Sequence, residues 1–173
     1  MTGRDRFDDV QHVVDAALAA LRRNGVTIPS PWDARALCDD LAALRGRPVH
    51  LVPGSRFGWR FDHLWTSGDN ADFIVRADRS SPVHQRHGVL HEIGHLVLGH
   101  ACVPIAPGAG PGAPRPRLGY DDPDEVEAEC SATTAGLEAE ARPGAVVSTL
   151  TPEDRAAADR LAVMLGTEAV TWN

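Results

Sequence analysis

The spacing of apolar residues predicts two amphipathic helices at the start of the chain. Apolar residues recur at helical spacing over residues 10–21, and this pattern stops at Asn24-Gly25. A second apolar stripe runs over residues 37–44 and stops before Gly46. Ser30-Pro31 supplies an N-cap and a proline at the first helical position, so we expect the second helix to begin there.

The pattern then changes to short β-prone runs over residues 48–52, 59–65 and 71–76, separated by turn-forming residues. These runs predict three strands of a meander. A strongly apolar helix is expected from about Pro82. A last capped helix is predicted over residues 151–165.

The helix that begins near Pro82 carries two histidines four residues apart, His91 and His95, with Glu92 after the first. Positions i and i+4 of a helix lie about 40° apart around its axis, so both imidazoles can bind one metal ion. Glu92 is turned about 100° from His91, which places it to reach a water on that metal rather than to ligate it. The apolar flanks predict that this helix is buried, and buried histidines need partners. The pattern is typical of a zinc metalloprotease.

A catalytic zinc takes three protein ligands, so one more is required. His100 is the nearest candidate. On a continued helix it would lie about 180° from His91, and Gly99 is a typical helix-terminating residue. We therefore interpret His100 as a residue of the helix end or the following loop rather than as a ligand.

The acidic segment 124–129 is a better source of the third ligand, because carboxylates are favoured at the start of a helix. Glu125 and Glu129 would share one face of that helix. One of them could bind the metal while the other holds the second ring nitrogen of a ligand histidine. Glu127 would lie about 200° from Glu125 and is expected to face solvent.

Two segments together are similar to the paired motifs of the ImmA/IrrE family of zinc metallopeptidases. They are residues 86–100, RHGVLHEIGHLVLGH, and residues 125–129, EVEAE. The resemblance covers about residues 30–140, and the chain departs from the family pattern at residues 131–137, where an apolar run is usual. The resemblance implies one zinc per chain with ligands His91, His95 and Glu125, and it implies that Glu92 is the catalytic base. Glu129 is then the residue that accepts a hydrogen bond from the second ring nitrogen of a ligand histidine.

The chemistry of such a site favours hydrolysis of an amide bond. The resemblance implies a site-specific endopeptidase that cuts a cognate transcriptional regulator, a DNA-binding repressor. We expect the substrate backbone to pair with an exposed edge strand at residues 71–76. Two alternatives stay open: a toxin-like or binding module that keeps the zinc site, and a zinc hydrolase of a small peptide-like substrate. The residues available to stabilise an oxyanion are His84, His87, His100, Arg115, Arg117 and Tyr120.

The length of 173 residues suits one domain, residues 1–173. The expected fold class is α+β and, by the resemblance, zincin-like, with a small three-stranded antiparallel or mixed sheet packed on the motif helix and flanked by helices. The Pro/Gly-rich segment 103–119 predicts a flexible loop, interpreted either as a flap over the site or as disordered chain.

Composition limits the partners and the compartment. A net charge of −7 argues against direct nucleic-acid binding, and no apolar run approaches the length of a membrane span. The charged N-terminus lacks the order of a signal peptide, so a cytoplasmic location is expected. Cys38, Cys102 and Cys130 are odd in number and have no CxxC spacing, which predicts reduced thiols and no cysteine metal site. Cys38 and Cys130 are both expected to be buried.

Overall fold

The computed structural model describes residues 3–57, 63–102 and 122–141. Within these ranges the chain has an α+β fold, with four α-helices, one short 3-10 helix and a three-stranded mixed sheet. The elements in chain order are α1 Gly3–Arg23, α2 Ala34–Arg45, β1 Val49–Pro53, the 3-10 helix Gly54–Phe57, β2 Leu64–Ser67, β3 Asp72–Arg76, α3 Pro82–Leu98 and α4 Pro123–Ala141.

The chain divides into two compact units, Met1–Ala139 and Glu140–Asn173. The second unit lies almost wholly outside the described residues, as does the predicted helix over 151–165. The predicted loop over 103–119 also lies outside them. The single-domain organisation stays a prediction.

The first two helices confirm the apolar pattern, but α2 begins later than expected. The Asp33 carboxylate accepts hydrogen bonds from the backbone N–H groups of Arg35 and Ala36, at 2.9 and 3.1 Å. Asp33 is therefore the N-cap, and the predicted start at Ser30-Pro31 is wrong. The helix ends as predicted at Gly46, which adopts the left-handed conformation with φ 64°.

The sheet is not a meander. Its strand order is β1-β3-β2, with β1 parallel to β3 and β2 antiparallel to β3. The fully buried carboxylate of Asp72, the first residue of β3, forms ion pairs with Arg45 and Arg47 at 3.2 and 3.1 Å. Its N–H donates to the carbonyl of Pro48. These contacts hold the start of β3 beside the α2–β1 connection. β3 therefore pairs with β1 on one side and with β2 on the other.

This topology overturns the prediction that substrate pairs with residues 71–76. β3 is the central strand, and both of its edges are already paired within the domain. Consecutive apolar residues at Phe73, Ile74 and Val75, with Ile74 fully buried, are typical of a central strand rather than an exposed edge. The beginning of the strand predicted over 59–65 lies outside the described residues, and β2 starts at Leu64.

The apolar core forms where the first two helices, the sheet and the faces of α3 and α4 meet. α3 buries four large side chains, whereas α4 buries mainly alanines. Residues 131–137, which depart from the pattern of the resembled family, therefore give α4 smaller side chains on this face. The face is still buried. The buried apolar side chains of these two helices are Val89, Leu90, Ile93, Leu96, Ala128, Ala132, Ala135 and Ala139. No helix in the described ranges combines the length and apolarity needed to cross a membrane.

Candidate metal centre

Helix α3 holds the two motif histidines between well-formed caps. The Ser81 hydroxyl accepts a hydrogen bond from the N–H of His84, and Pro82 occupies the first helical position. Gly99 ends the helix with φ 78°. Between these caps, the Nε2 atoms of His91 and His95 lie 3.1 Å apart on one face, as the i, i+4 spacing predicts.

Close approach of α4 to α3 brings the third ligand candidate to this face. The contact is at Gly94, where a Cβ atom would lie 3.2 Å from both the Ala128 carbonyl oxygen and the Ser131 Cβ. Glycine allows this close approach, because a Cβ atom at 3.2 Å would require α4 to move away by a few tenths of an ångström. Glu125 is about one turn before Ala128 and so lies over the histidine pair.

The Glu125 carboxylate completes a group of three donors. Its oxygens lie 3.3 Å from His91 Nε2 and 3.7 Å from His95 Nε2. These three residues could hold a metal ion, and they are the only such His/Cys/Asp/Glu group among the residues that the structure describes. The side chains of His91 and His95 are 19% and 10% exposed and that of Glu125 is 31% exposed, so the group is sheltered yet open on one side.

The second ring nitrogen of His91 faces Glu129. The distance from His91 Nδ1 to the Glu129 carboxylate is 3.4 Å. His87 Nε2 contacts the same carboxylate at 3.0 Å. An acceptor at Nδ1 favours the tautomer with its proton there, which leaves the Nε2 lone pair of His91 free to bind a cation.

The second ring nitrogen of His95 faces another imidazole. His95 Nδ1 lies 2.9 Å from Nδ1 of His100, and His100 Nε2 lies 3.2 Å from the Glu127 carboxylate. The prediction that Glu127 faces solvent is therefore wrong: its side chain is 25% exposed and contacts His100. Because Gly99 turns the chain at the helix end, His100 folds back on His95 instead of continuing around the helix.

The surroundings of His95 keep it neutral. Burial, together with the neighbouring His91 and His100, lowers the pKa of His95 to about 4. A neutral imidazole is the form that binds a metal ion. The local electrostatics therefore agree with a ligand role for His95.

Glu92 points to the sheet rather than joining the three donors. Its carboxylate accepts a hydrogen bond of 2.7 Å from the N–H of Trp65 in β2. This contact fixes the carboxylate between α3 and the strand. No pattern in the sequence predicts this contact, because the bond is to a backbone group of another element.

Other candidate residues have identifiable positions. His87 and His100, two of the possible oxyanion donors, are hydrogen-bonded to carboxylates. The His84 ring packs beside that of His63, with ring centroids 5.4 Å apart. The remaining possible donors, Arg115, Arg117 and Tyr120, lie outside the described residues.

The cysteines take no part in this group. All three thiols are free. Cys38 is buried in the core as predicted, whereas Cys130 is only partly buried and its Sγ lies 3.3 Å from Gln11 of α1.

Comparisons of the chain with family models, curated proteins and solved structures find no match. Functional assignment consequently rests on the chemistry of the three donors, Glu92 and their neighbours.

Proposed function

We propose that the protein is a zinc-dependent endopeptidase of the ImmA/IrrE type with a zincin-like fold. One observation supports this most strongly: two histidines of an HExxH helix and a glutamate of the next described helix converge within 3.7 Å of one another. The proposed ligands are His91, His95 and Glu125, and the proposed catalytic base is Glu92.

The donor set fits zinc in type and in spacing. Zinc binds imidazole nitrogen and carboxylate oxygen at about 2.0–2.2 Å, and tetrahedral geometry then separates neighbouring ligand atoms by about 3.3–3.6 Å. The two Nε2 atoms lie 3.1 Å apart, one Glu125 oxygen lies 3.3 Å from His91 Nε2 and the other lies 3.7 Å from His95 Nε2, which is close to that range. Two imidazole lone pairs and a carboxylate at these distances repel one another unless a metal ion or a proton lies between them. Two histidines with one glutamate are also a known catalytic zinc set.

Each residue of the chain has a separable task in this proposal. When bound, zinc would polarise the scissile carbonyl and lower the pKa of a water molecule toward 7. Glu92 accepts the proton of the attacking water and returns it to the leaving amine. The Trp65 N–H holds the Glu92 carboxylate in place without neutralising it. The Glu129 carboxylate, 3.4 Å from His91 Nδ1, favours the metal-binding tautomer of that ring.

A DNA-binding regulator is the proposed substrate, on the strength of the family resemblance and the charge of the chain. A protein that binds nucleic acid commonly carries a basic surface. The net charge of −7 of this chain would attract such a partner and speed their encounter.

The test compares wild type with Glu92→Gln, which keeps the size and removes the base. Each protein is incubated with zinc and with purified transcriptional regulators encoded near its own gene, where the resemblance implies that the substrate is encoded, and new N-termini are read by mass spectrometry. We expect cleavage by wild type and a loss of about 10²- to 10⁴-fold in Glu92→Gln, with zinc content and melting temperature unchanged.

A matched control is Glu140→Gln, on the last turn of α4, which should cleave as wild type does. Equal cleavage by Glu92→Gln and wild type would exclude Glu92 as the base. A biological effect that survives in Glu92→Gln would favour the binding module over the protease.

A further inference from the structure

His100 and Glu127 form a chain of contacts that ends at a proposed zinc ligand. His95 Nδ1 lies 2.9 Å from His100 Nδ1, and His100 Nε2 lies 3.2 Å from Glu127. The His100 side chain is only 7% exposed, so neither of its ring nitrogens can readily exchange these partners for water.

The direction of the hydrogen bonds in this chain follows from the carboxylate at its end. An ionised carboxylate only accepts hydrogen bonds, so His100 must present Nε2–H to Glu127. In a neutral His100 ring, Nδ1 is then an acceptor, and His95 must donate to it from its own Nδ1–H. His95 Nε2 is left with a lone pair, and it faces His91 Nε2 and Glu125.

The local backbone explains why His100 reaches this position. Gly99 caps α3 in the left-handed conformation, and the N–H groups of both Gly99 and His100 donate to the carbonyl of His95. The imidazole of His100 is thereby folded back beside the ring of His95, with ring centroids 5.0 Å apart. A histidine immediately after such a cap contacts the outer nitrogen of His95 and not the metal-facing one.

We propose that His100 and Glu127 are positioning residues that fix the tautomer and ring orientation of His95 for zinc binding. This inference rests on the proposed zinc site. It assigns to His95 an outer partner separate from Glu129, which contacts His91. In this proposal Glu129 holds His91 directly, and Glu127 holds His95 through the imidazole of His100.

The test measures zinc affinity by competition with a chromophoric chelator, together with the stability of the metal-free protein. The variants are His100→Ala, His100→Asn, Glu127→Ala and the double variant of His100→Ala with Glu127→Ala. Asn is included because its side-chain oxygen can accept from His95 Nδ1–H near the position of the lost ring nitrogen. Asp124→Asn is the charge control, because its carboxylate lies 3.9 Å from His100 Nε2 and is 47% exposed.

We expect His100→Ala to weaken zinc binding about 10- to 100-fold, as is usual when an outer partner of a ligand histidine is lost. Glu127→Ala should weaken it up to about tenfold, with no further loss when combined with His100→Ala, because the two residues act through one chain. His100→Asn should recover part of the affinity. Asp124→Asn should bind zinc as wild type does.

A spectroscopic signature separates positioning from simple packing. In the zinc-loaded protein, the imidazole N–H protons of His95 Nδ1 and His100 Nε2 should appear as slowly exchanging NMR signals, and His100→Ala should lose both. Zinc affinity within about twofold of wild type in His100→Ala, or the same loss in Asp124→Asn as in Glu127→Ala, would overturn the inference. Absence of zinc binding by wild type would instead overturn the proposed function.

Discussion

Replacement of Gly94 by alanine is expected to weaken both folding and metal binding. The added Cβ would lie 3.2 Å from the Ala128 carbonyl oxygen and the Ser131 Cβ, and 3.3 Å from the Ala128 Cα. Carbon atoms in contact normally lie about 3.5–4.0 Å apart, so α4 must move away by a few tenths of an ångström. Overpacking of this kind costs about 1–3 kcal/mol, and the better helix propensity of alanine offsets about 1 kcal/mol of it.

The displacement reaches the metal ligand because Glu125 is on the same helix as Ala128. Metal sites tolerate ligand shifts of about 0.2 Å, so a movement of a few tenths of an ångström exceeds that tolerance. If the strain destabilises the zinc-bound protein by about 1.4 kcal/mol more than the zinc-free protein, zinc affinity decreases about tenfold. The measurement is chelator competition for zinc together with urea denaturation of the metal-free protein.

Gly136→Ala is the matched control on α4, because its added Cβ would lie 4.0 Å from its nearest neighbour, Leu90 Cδ1. This control should gain up to about 1 kcal/mol in stability and bind zinc as wild type does. If Gly94→Ala behaves like Gly136→Ala in both measurements, close packing at Gly94 does not position Glu125 and the reasoning is refuted.

Two further predictions concern the fold. Asp72→Asn should lower the free energy of unfolding by about 2–3 kcal/mol, because Arg45 and Arg47 lose the charge of their buried partner while the Asn oxygen can still accept a hydrogen bond; urea denaturation near that of wild type would contradict this. Burial raises the pKa of the Cys38 thiol from 9.0 to about 11. The stability gained by keeping this thiol protonated is therefore complete below pH 9 and is lost as the pH rises toward 11. Cys38→Ala should show a smaller loss of stability over that interval, and equal losses would contradict the assignment.

The histidine pair could be predicted from the sequence because its geometry is local. Helical periodicity alone brings His91 and His95 to one face, and Gly99 predicts the helix end that the structure shows. The acidic helix start also placed Glu125 and Glu129 on one face, and both now lie beside the histidines. These predictions needed only the helix repeat and the chemistry of the side chains.

Apart from the start of α2, which depends on local capping by Asp33, the errors involve contacts between distant parts of the chain. The position of Glu127 around the axis of α4, considered by itself, predicts that its side chain faces solvent. The chain turns back after Gly99, however, and brings His100 into contact with Glu127. The meander prediction was wrong because strand order depends on pairing over long sequence separations and on the buried ion pairs of Asp72. Periodicity reports which face of an element is apolar, but not which other element covers it.

The most direct test of the central claim is elemental analysis of purified, dialysed protein for zinc. We expect one zinc per chain in wild type and in Asp124→Ala, a change in the same first turn of α4, and none in Glu125→Ala. This result would establish Glu125 as the ligand that joins the two histidines. Full zinc occupancy in Glu125→Ala, or wild type without zinc, would contradict the account.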